Sequence, residues 1–250
     1  MTPAALQASP VLAIDAGNTR VKWGLREGDA WVARGAIATV EAQHLGRDWP
    51  AMPAGTRAIA SNVGGPQLHE WLAGTCARHG LALAFIASRR EQLGVSNTYR
   101  DAAQLGTDRW AALVAAHHRA PSHQLVVMAG TALTVDALRE DGRFLGGIIV
   151  PGPALMRAAL DRGTAQLRLT EGVFDAFPRN TADAITTGSV LAAAGAVERM
   201  IDAMAAAGQA PGRLVLSGGA AAEIAPHLPM PATLDDNLVL DGLALMARAA

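Results

Sequence analysis

A chain of 250 residues that is half hydrophobic and only 17% charged can bury one large core or two smaller ones, which excludes a disordered protein. Its formal net charge of -1 excludes the basic excess of a dedicated nucleic-acid binder, and its single cysteine, Cys76, excludes an internal disulfide or a Cys-based zinc site. No apolar run approaches the roughly 18–20 residues that span a membrane, and the opening "MTPAALQASP" lacks the order of a secretory signal, so no membrane partner and a reducing, cytoplasmic location are expected.

The first half opens with apolar strands. "VLAIDAG" and "TRVKWGL" flank a tight turn, "WVARGAIATV" reads as a third strand and "RAIASNVGG" as a fourth. A helix follows at "PQLHEWLAGTCARHG", where Leu68, Trp71, Leu72 and Cys76 recur at helical spacing. "LALAFIAS" is a short strand, and "RREQLGVSNTYRDAAQLGTDRW" is polar and rich in turns. The helix "DRWAALVAAHHRA" sets Trp110, Leu113, Val114 and His117 on one side and stops before Pro121.

The second half starts again with "HQLVVMAGTALTVDAL", pairs it with "RFLGGIIVPG" and continues into the helix "PALMRAALDRG". A polar linker leads to a long alanine-rich helix from "TADAITTG", with Asn180 or Thr181 as its cap. "GRLVLSGGAA" is a strand running into a glycine turn, and "NLVLDGLALMARAA" is a closing helix. The order contains a repeat. "LAIDAGNTRVK" aligns with "LVVMAGTALTV" at an offset of 113 residues, which sets Asp15 on Met128, Ala16 on Ala129 and Gly17 on Gly130. Two similar α/β halves with a cleft between them are expected.

Three stretches carry chemistry. The turn Asp15-Ala16-Gly17-Asn18-Thr19, followed by Arg20, Val21 and Lys22, offers an acid for a magnesium nucleotide, a glycine for close approach and a lysine for a phosphate oxygen. The alternative is a plain hairpin with Asn18 in a left-handed turn. Gly130, Thr131 and Thr134 stand in the matching place of the second half, and a paired cradle strengthens the phosphate reading. No G-x-x-x-x-G-K-[ST] is present, so a P-loop is excluded. In "LGTDRW", Asp108 either caps a helix start or acts as a general base toward a hydroxyl, and Arg109 beside it suits a substrate carboxylate. Tyr99, the only tyrosine, lies just before and either anchors its loop or donates a hydrogen bond. "LSGG" is either an adenine or ribose contact or a simple strand-to-helix turn.

Together these segments resemble the type III pantothenate kinases of the acetate kinase, sugar kinase, Hsp70 and actin superfamily. The resemblance rests on "DAGNTRVKWG", a tyrosine before "LGTDRW", "AGTALTVD", "GGIIVPG", "NT" at Asn180-Thr181 and "SGG" at Ser217, and runs from about Val11 to Leu245. It implies a duplicated ribonuclease H-like, actin-like ATPase fold with two mixed-sheet domains, divided at 1–118 and 119–250. It implies ATP-dependent phosphorylation of pantothenate, the first step of coenzyme A synthesis. Asp15 to Lys22 would hold ATP phosphates, with Asp15 on magnesium directly or through water, and Gly130 and Thr131 would contact ATP. Asp108 would accept the hydroxyl proton. Tyr99, Gly106, Thr107, Arg109 and Thr181 would bind pantothenate. The family is typically dimeric, with its active site close to the dimer interface, and uses potassium or ammonium.

The chain departs from that pattern at two positions. Met128 stands where the second phosphate motif usually begins with the aspartate of the monovalent-cation site, and a thioether is a poor ligand for a hard cation. Ala102 stands where a proline often follows the tyrosine. The resemblance also leaves about ten residues before Val11 as an extension expected to be disordered. The competing readings are a kinase of another small hydroxylated substrate, or a nucleotide-binding regulatory protein that kept the fold without catalysis.

Overall fold

Strand β1 (Val11–Ala16) is apolar in nearly every position because it lies mid-sheet, with β2 (Arg20–Glu27) on one side and β4 (Arg57–Asn62) on the other. The structure, a computed structural model, describes residues 9–163 and 171–249. The first eight residues of the expected extension and residues 164–170 of the expected linker lie outside the described residues.

β3 (Ala30–Ala38) alternates strictly between half-buried and exposed positions, as an edge strand with one wet face should. It is shorter than the segment "WVARGAIATV" suggests, because Thr39–His44 turn into a 3-10 helix. With β5 (Leu83–Phe85) these strands form a sheet in the order β3-β2-β1-β4-β5. Helix α1 (Pro66–Arg78) begins on a proline whose fixed φ suits the first turn, and it buries Leu68, Leu72 and Cys76 against one face. Pairing of a central strand with an antiparallel hairpin on one side and parallel strands on the other makes the sheet mixed.

The turn-rich stretch after β5 holds two short strands that its composition hides, β6 (Glu91–Gln92) and β7 (Val95–Asn97). Helix α2 (Thr107–Arg119) follows. Its middle, Trp110 to Ala116, is fully buried on all sides rather than along one stripe. Four alanines let neighbouring backbone come close.

The second unit repeats the plan. β8 (Gln124–Ala129) is central, antiparallel to β9 (Ala132–Leu138), which is antiparallel to β10 (Arg143–Pro151). On its other side β8 is parallel to β11 (Arg213–Ser217), and β11 to β12 (Ala232–Leu234). The order β10-β9-β8-β11-β12 matches β3-β2-β1-β4-β5 strand for strand, and β7 adds one parallel strand beside β10. The expected duplication is therefore present. Helices α3 (Pro153–Gly163), α4 (Thr181–Ala206) and the short α5 (Ala221–Ile224) belong to this unit. Asn180 is the cap of α4: its side chain accepts from the Asp183 amide at 2.9 Å and donates to the Asp183 carboxylate at 2.6 Å.

The compact units are not consecutive halves of the chain. The first comprises 1–93, 99–115 and 237–250, the second 94–98 and 116–236. The closing helix α6 (Leu238–Ala249) thus belongs to the first unit. There Asp241 accepts from Arg26 at 3.0 Å and Trp31 Nε1 at 2.9 Å, and Arg57 donates to the Ala247 carbonyl at 2.8 Å. Among the described residues no helix is long and apolar enough to cross a membrane.

Candidate active site

In a sheet, residues paired side by side project from the same face. Asp15 pairs with Lys22 on one side and with Ser61 on the other, so Lys22, Asp15 and Ser61 form one polar row across β2, β1 and β4. Asp15 keeps some surface exposure, yet desolvation raises its carboxyl to a pKa of about 7; the charge of Asp108 adds to the rise and Lys22 opposes it. The two carboxylates thus oppose each other's charge.

Asp108 is the second residue of α2 and accepts from the Arg109 amide at 2.8 Å. Burial raises its pKa, while the Arg109 amide and guanidinium pull the other way. The capping position leaves the carboxylate chemically available: the helix amide fixes the rotamer, and a desolvated carboxylate is a stronger base than one in water. Gly106 leaves room for that carboxylate, because a Cβ there would lie 2.6 Å from Asp108 Oδ1. Arg109 is only 4% exposed; its guanidinium donates to Tyr99 Oη at 3.3 Å and lies 5.9 Å from the ring centroid. Asp15, Gly106, Thr107, Asp108, Arg109 and Tyr99 all belong to the first unit.

The first turn is pinned from inside. The Gly17 amide donates to the Arg20 carbonyl at 3.0 Å, Thr39 Oγ1 donates to the Gly17 carbonyl at 2.8 Å, and the Thr39 amide donates to the Thr19 carbonyl at 2.9 Å. The Gly17 amide is thus engaged in the turn itself, and Asn18, Thr19 and Arg20 form the exposed tip. Asn18 is not left-handed: Leu93 is the one non-glycine with positive φ among the described residues. The plain-hairpin reading of Asn18 is corrected accordingly. Ala16 and Val21, between them, accommodate no side-chain chemistry; both are buried and hold the strands in register.

The second turn differs in length. Ala16 pairs with Val21 across four turn residues, whereas Ala129 pairs with Leu133 across three, with Gly130 donating to the Ala132 carbonyl at 3.0 Å. Gly130 and Thr131 are exposed. The row across β11, β8 and β9 reads Ser217, Met128, Thr134, the counterparts of Ser61, Asp15 and Lys22. Thr134 Oγ1 is buried without a partner. Ser217 ends β11 and Gly218 follows at φ +103°, where a Cβ would lie 2.4 Å from the Ala129 carbonyl. Thr181 begins α4 and borders a cavity of about 940 Å³ between α3 and α4, lined by Leu155, Leu160 and Ile185.

Ser61 is the polar residue that sequence reasoning missed. It is fully buried, and its hydroxyl lies 2.8 Å from Thr107 Oγ1. A serine in "RAIASNVGG" carries no local signal, since only the strand register brings it beside Asp15.

The profile of the type III pantothenate kinase family matches residues 11–203. Curated relatives named type III pantothenate kinase include one from Aromatoleum aromaticum, 48% identical over 95% of this chain and 98% of its own length. Others come from Nitrosospira multiformis, 44% identical over 95% of this chain and 91% of its own length, and Nitrosomonas eutropha, 40% identical over 97% and 96%. Among solved structures, a Campylobacter jejuni protein described as a candidate Baf family transcriptional activator superposes with TM-score 0.63 at 21% identity, covering 95% of this chain and 98% of that one. MreB5 of Spiroplasma citri bound to ADP superposes with TM-score 0.53 at 10% identity, covering 96% and 97%. These two likenesses concern the fold, which is the duplicated mixed-sheet α/β fold of actin-like ATPases and sugar kinases.

Proposed function

The chain belongs to the type III pantothenate kinase family, and on that premise we propose how its residues divide the work. It is a kinase that phosphorylates pantothenate with ATP, the first step of coenzyme A synthesis. Asp108 accepts the proton of the pantothenate hydroxyl as its oxygen attacks the γ-phosphorus, and ADP leaves. Tyr99, Gly106, Thr107, Arg109 and Thr181 bind pantothenate, with the Arg109 guanidinium suited to its carboxylate. The turn from Asp15 to Lys22 and the turn at Gly130 and Thr131 hold ATP phosphates. The observation that carries the assignment is the pair of carboxylates in one unit, Asp15 lifted to about 7 by burial and by the charge of Asp108. Asp108→Asn should lower kcat by roughly 10²–10⁴-fold while equilibrium binding of MgATP persists; near-normal turnover would refute the base.

Magnesium fits this site. Asp15 offers hard oxygen donors whose charge is held down by desolvation and by a second carboxylate, and a cation there relieves both. When bound, the ion supplies charge neutralisation on the phosphates.

A monovalent cation does not fit at the counterpart position. The row there is two neutral hydroxyls and a thioether, Ser217, Thr134 and Met128, with no carboxylate among the three. Turnover should therefore differ less than about twofold between potassium, ammonium and choline salts at equal ionic strength. A strict potassium requirement that Met128→Leu abolishes would overturn this.

A cytoplasmic homodimer completes the proposal. Its support is the exposed apolar set Ile149, Leu160 and Leu191 on β10, α3 and α4 of the second unit.

A further inference from the structure

We infer that Ser61 is a positioning residue for phosphoryl transfer, holding the Thr107 hydroxyl and through it the first turn of α2 that presents Asp108. The inference rests on the assignment of Asp108 as base and goes beyond it.

Ser61 and Asp15 occupy the same register on neighbouring strands, so their side chains leave the same face of the sheet. That face meets α2 at a polar contact, Ser61 Oγ to Thr107 Oγ1 at 2.8 Å. Thr107 is the first residue of α2 and Asp108 the second. The hydroxyl pair therefore ties the strand beside Asp15 to the backbone immediately before Asp108. Two hydroxyls share one hydrogen between them and keep the second hydrogen for another acceptor. When Ser61 donates, the Thr107 hydroxyl keeps its own hydrogen for another acceptor. An alanine at 61 would leave Thr107 Oγ1 to choose its own rotamer.

Burial alone does not explain a serine here. The side chain is fully buried, and a buried hydroxyl costs free energy unless it is bonded. The corresponding position of the second unit also carries a buried serine, Ser217, beside Met128. A buried serine thus recurs at this position beside different neighbours, and in the first unit its hydroxyl meets the helix that carries Asp108.

The test is steady-state kinetics with a pH profile on Ser61→Ala, Ser61→Thr, Thr107→Val and the Ala/Val double variant, with thermal melts alongside. Ser61→Ala should lower kcat about 5- to 20-fold, because a small misplacement of the base is costly, while KM for ATP changes less than about twofold. The acid limb of kcat/KM should move, since the surroundings of the base, Asp108, change. Ser61→Thr, which keeps the hydroxyl, should restore most of kcat even if its added methyl lowers the melting temperature. The double variant should be no slower than Thr107→Val alone. Unchanged kcat and an unmoved acid limb in Ser61→Ala, or losses that multiply in the double variant, would overturn the inference. Loss of turnover in Asp108→Asn is read separately, so a wrong base and a wrong role for Ser61 give different results.

Discussion

Asp15 is placed where a carboxylate is least comfortable, desolvated and beside a second carboxylate. The ordinary value is near 3.8 and the folded value about 7, so between those pH values the folded chain keeps a proton that the unfolded chain releases. Stability from this group is greatest below about pH 4, falls as the pH rises to about 7 and is flat above. Asp15→Asn should remove the penalty. At pH 8 and without nucleotide, the variant should be more stable by about 1–2 kcal/mol after allowance for a partly exposed carboxyl. That is a melting temperature higher by roughly 2–4 °C per kcal/mol. The gap should close toward pH 4, which thermal melts across the range would check. Asp15, Asp108 and Lys22 were legible because acids and lysines next to glycine turns are chemically conspicuous. The pairing of Arg109 with Tyr99 was legible only as two nearby candidates; the structure adds the bond that joins them. Ser61 was illegible, because its neighbours come from β1 and from α2, which lies 46 residues further on.

Elements were legible where periodicity runs long. α1, α2, α4 and α6 stand out as helical, and the β1–β2 and β8–β9 hairpins as strand-turn-strand. The stretch after β5 failed because β7 is three residues long and finds its partner in β10, far along the chain. β12 is equally short and borrows its order from β11. Helix-on-helix packing was also hidden. α6 lies so close to α2 that a Cβ on Gly242 would sit 2.0 Å from the Ala111 carbonyl oxygen. Backbone cannot swing aside as a long side chain can, so Gly242→Ala must push the helices apart. A loss of about 1–3 kcal/mol is expected, in line with overpacked cores. Differential scanning calorimetry would register it. Because α2 carries Asp108 at its start, kcat should fall in the same variant while KM for ATP holds.

At the scale of the molecule, the repeat proved truer in topology than in residues. Five strands match in order and direction across the two units. The alignment by a constant offset holds into each turn and slips by one residue after it, because the second turn is shorter. That is why Lys22 corresponds to Thr134 and not to the residue the offset names, Val135. The two copies have divided their labour: one row is charged, the other neutral.

The placement of α6 has a consequence for how the protein is made. A ribosome delivers the chain from its first residue onward. The second unit, 94–98 and 116–236, is complete once Asp236 has emerged. The first unit still lacks the helix that covers β1 and β4 and that answers Arg26 and Trp31 with Asp241. The strands synthesised earliest therefore wait longest for their partner, and the unit that carries Asp15 and Asp108 is the last to close.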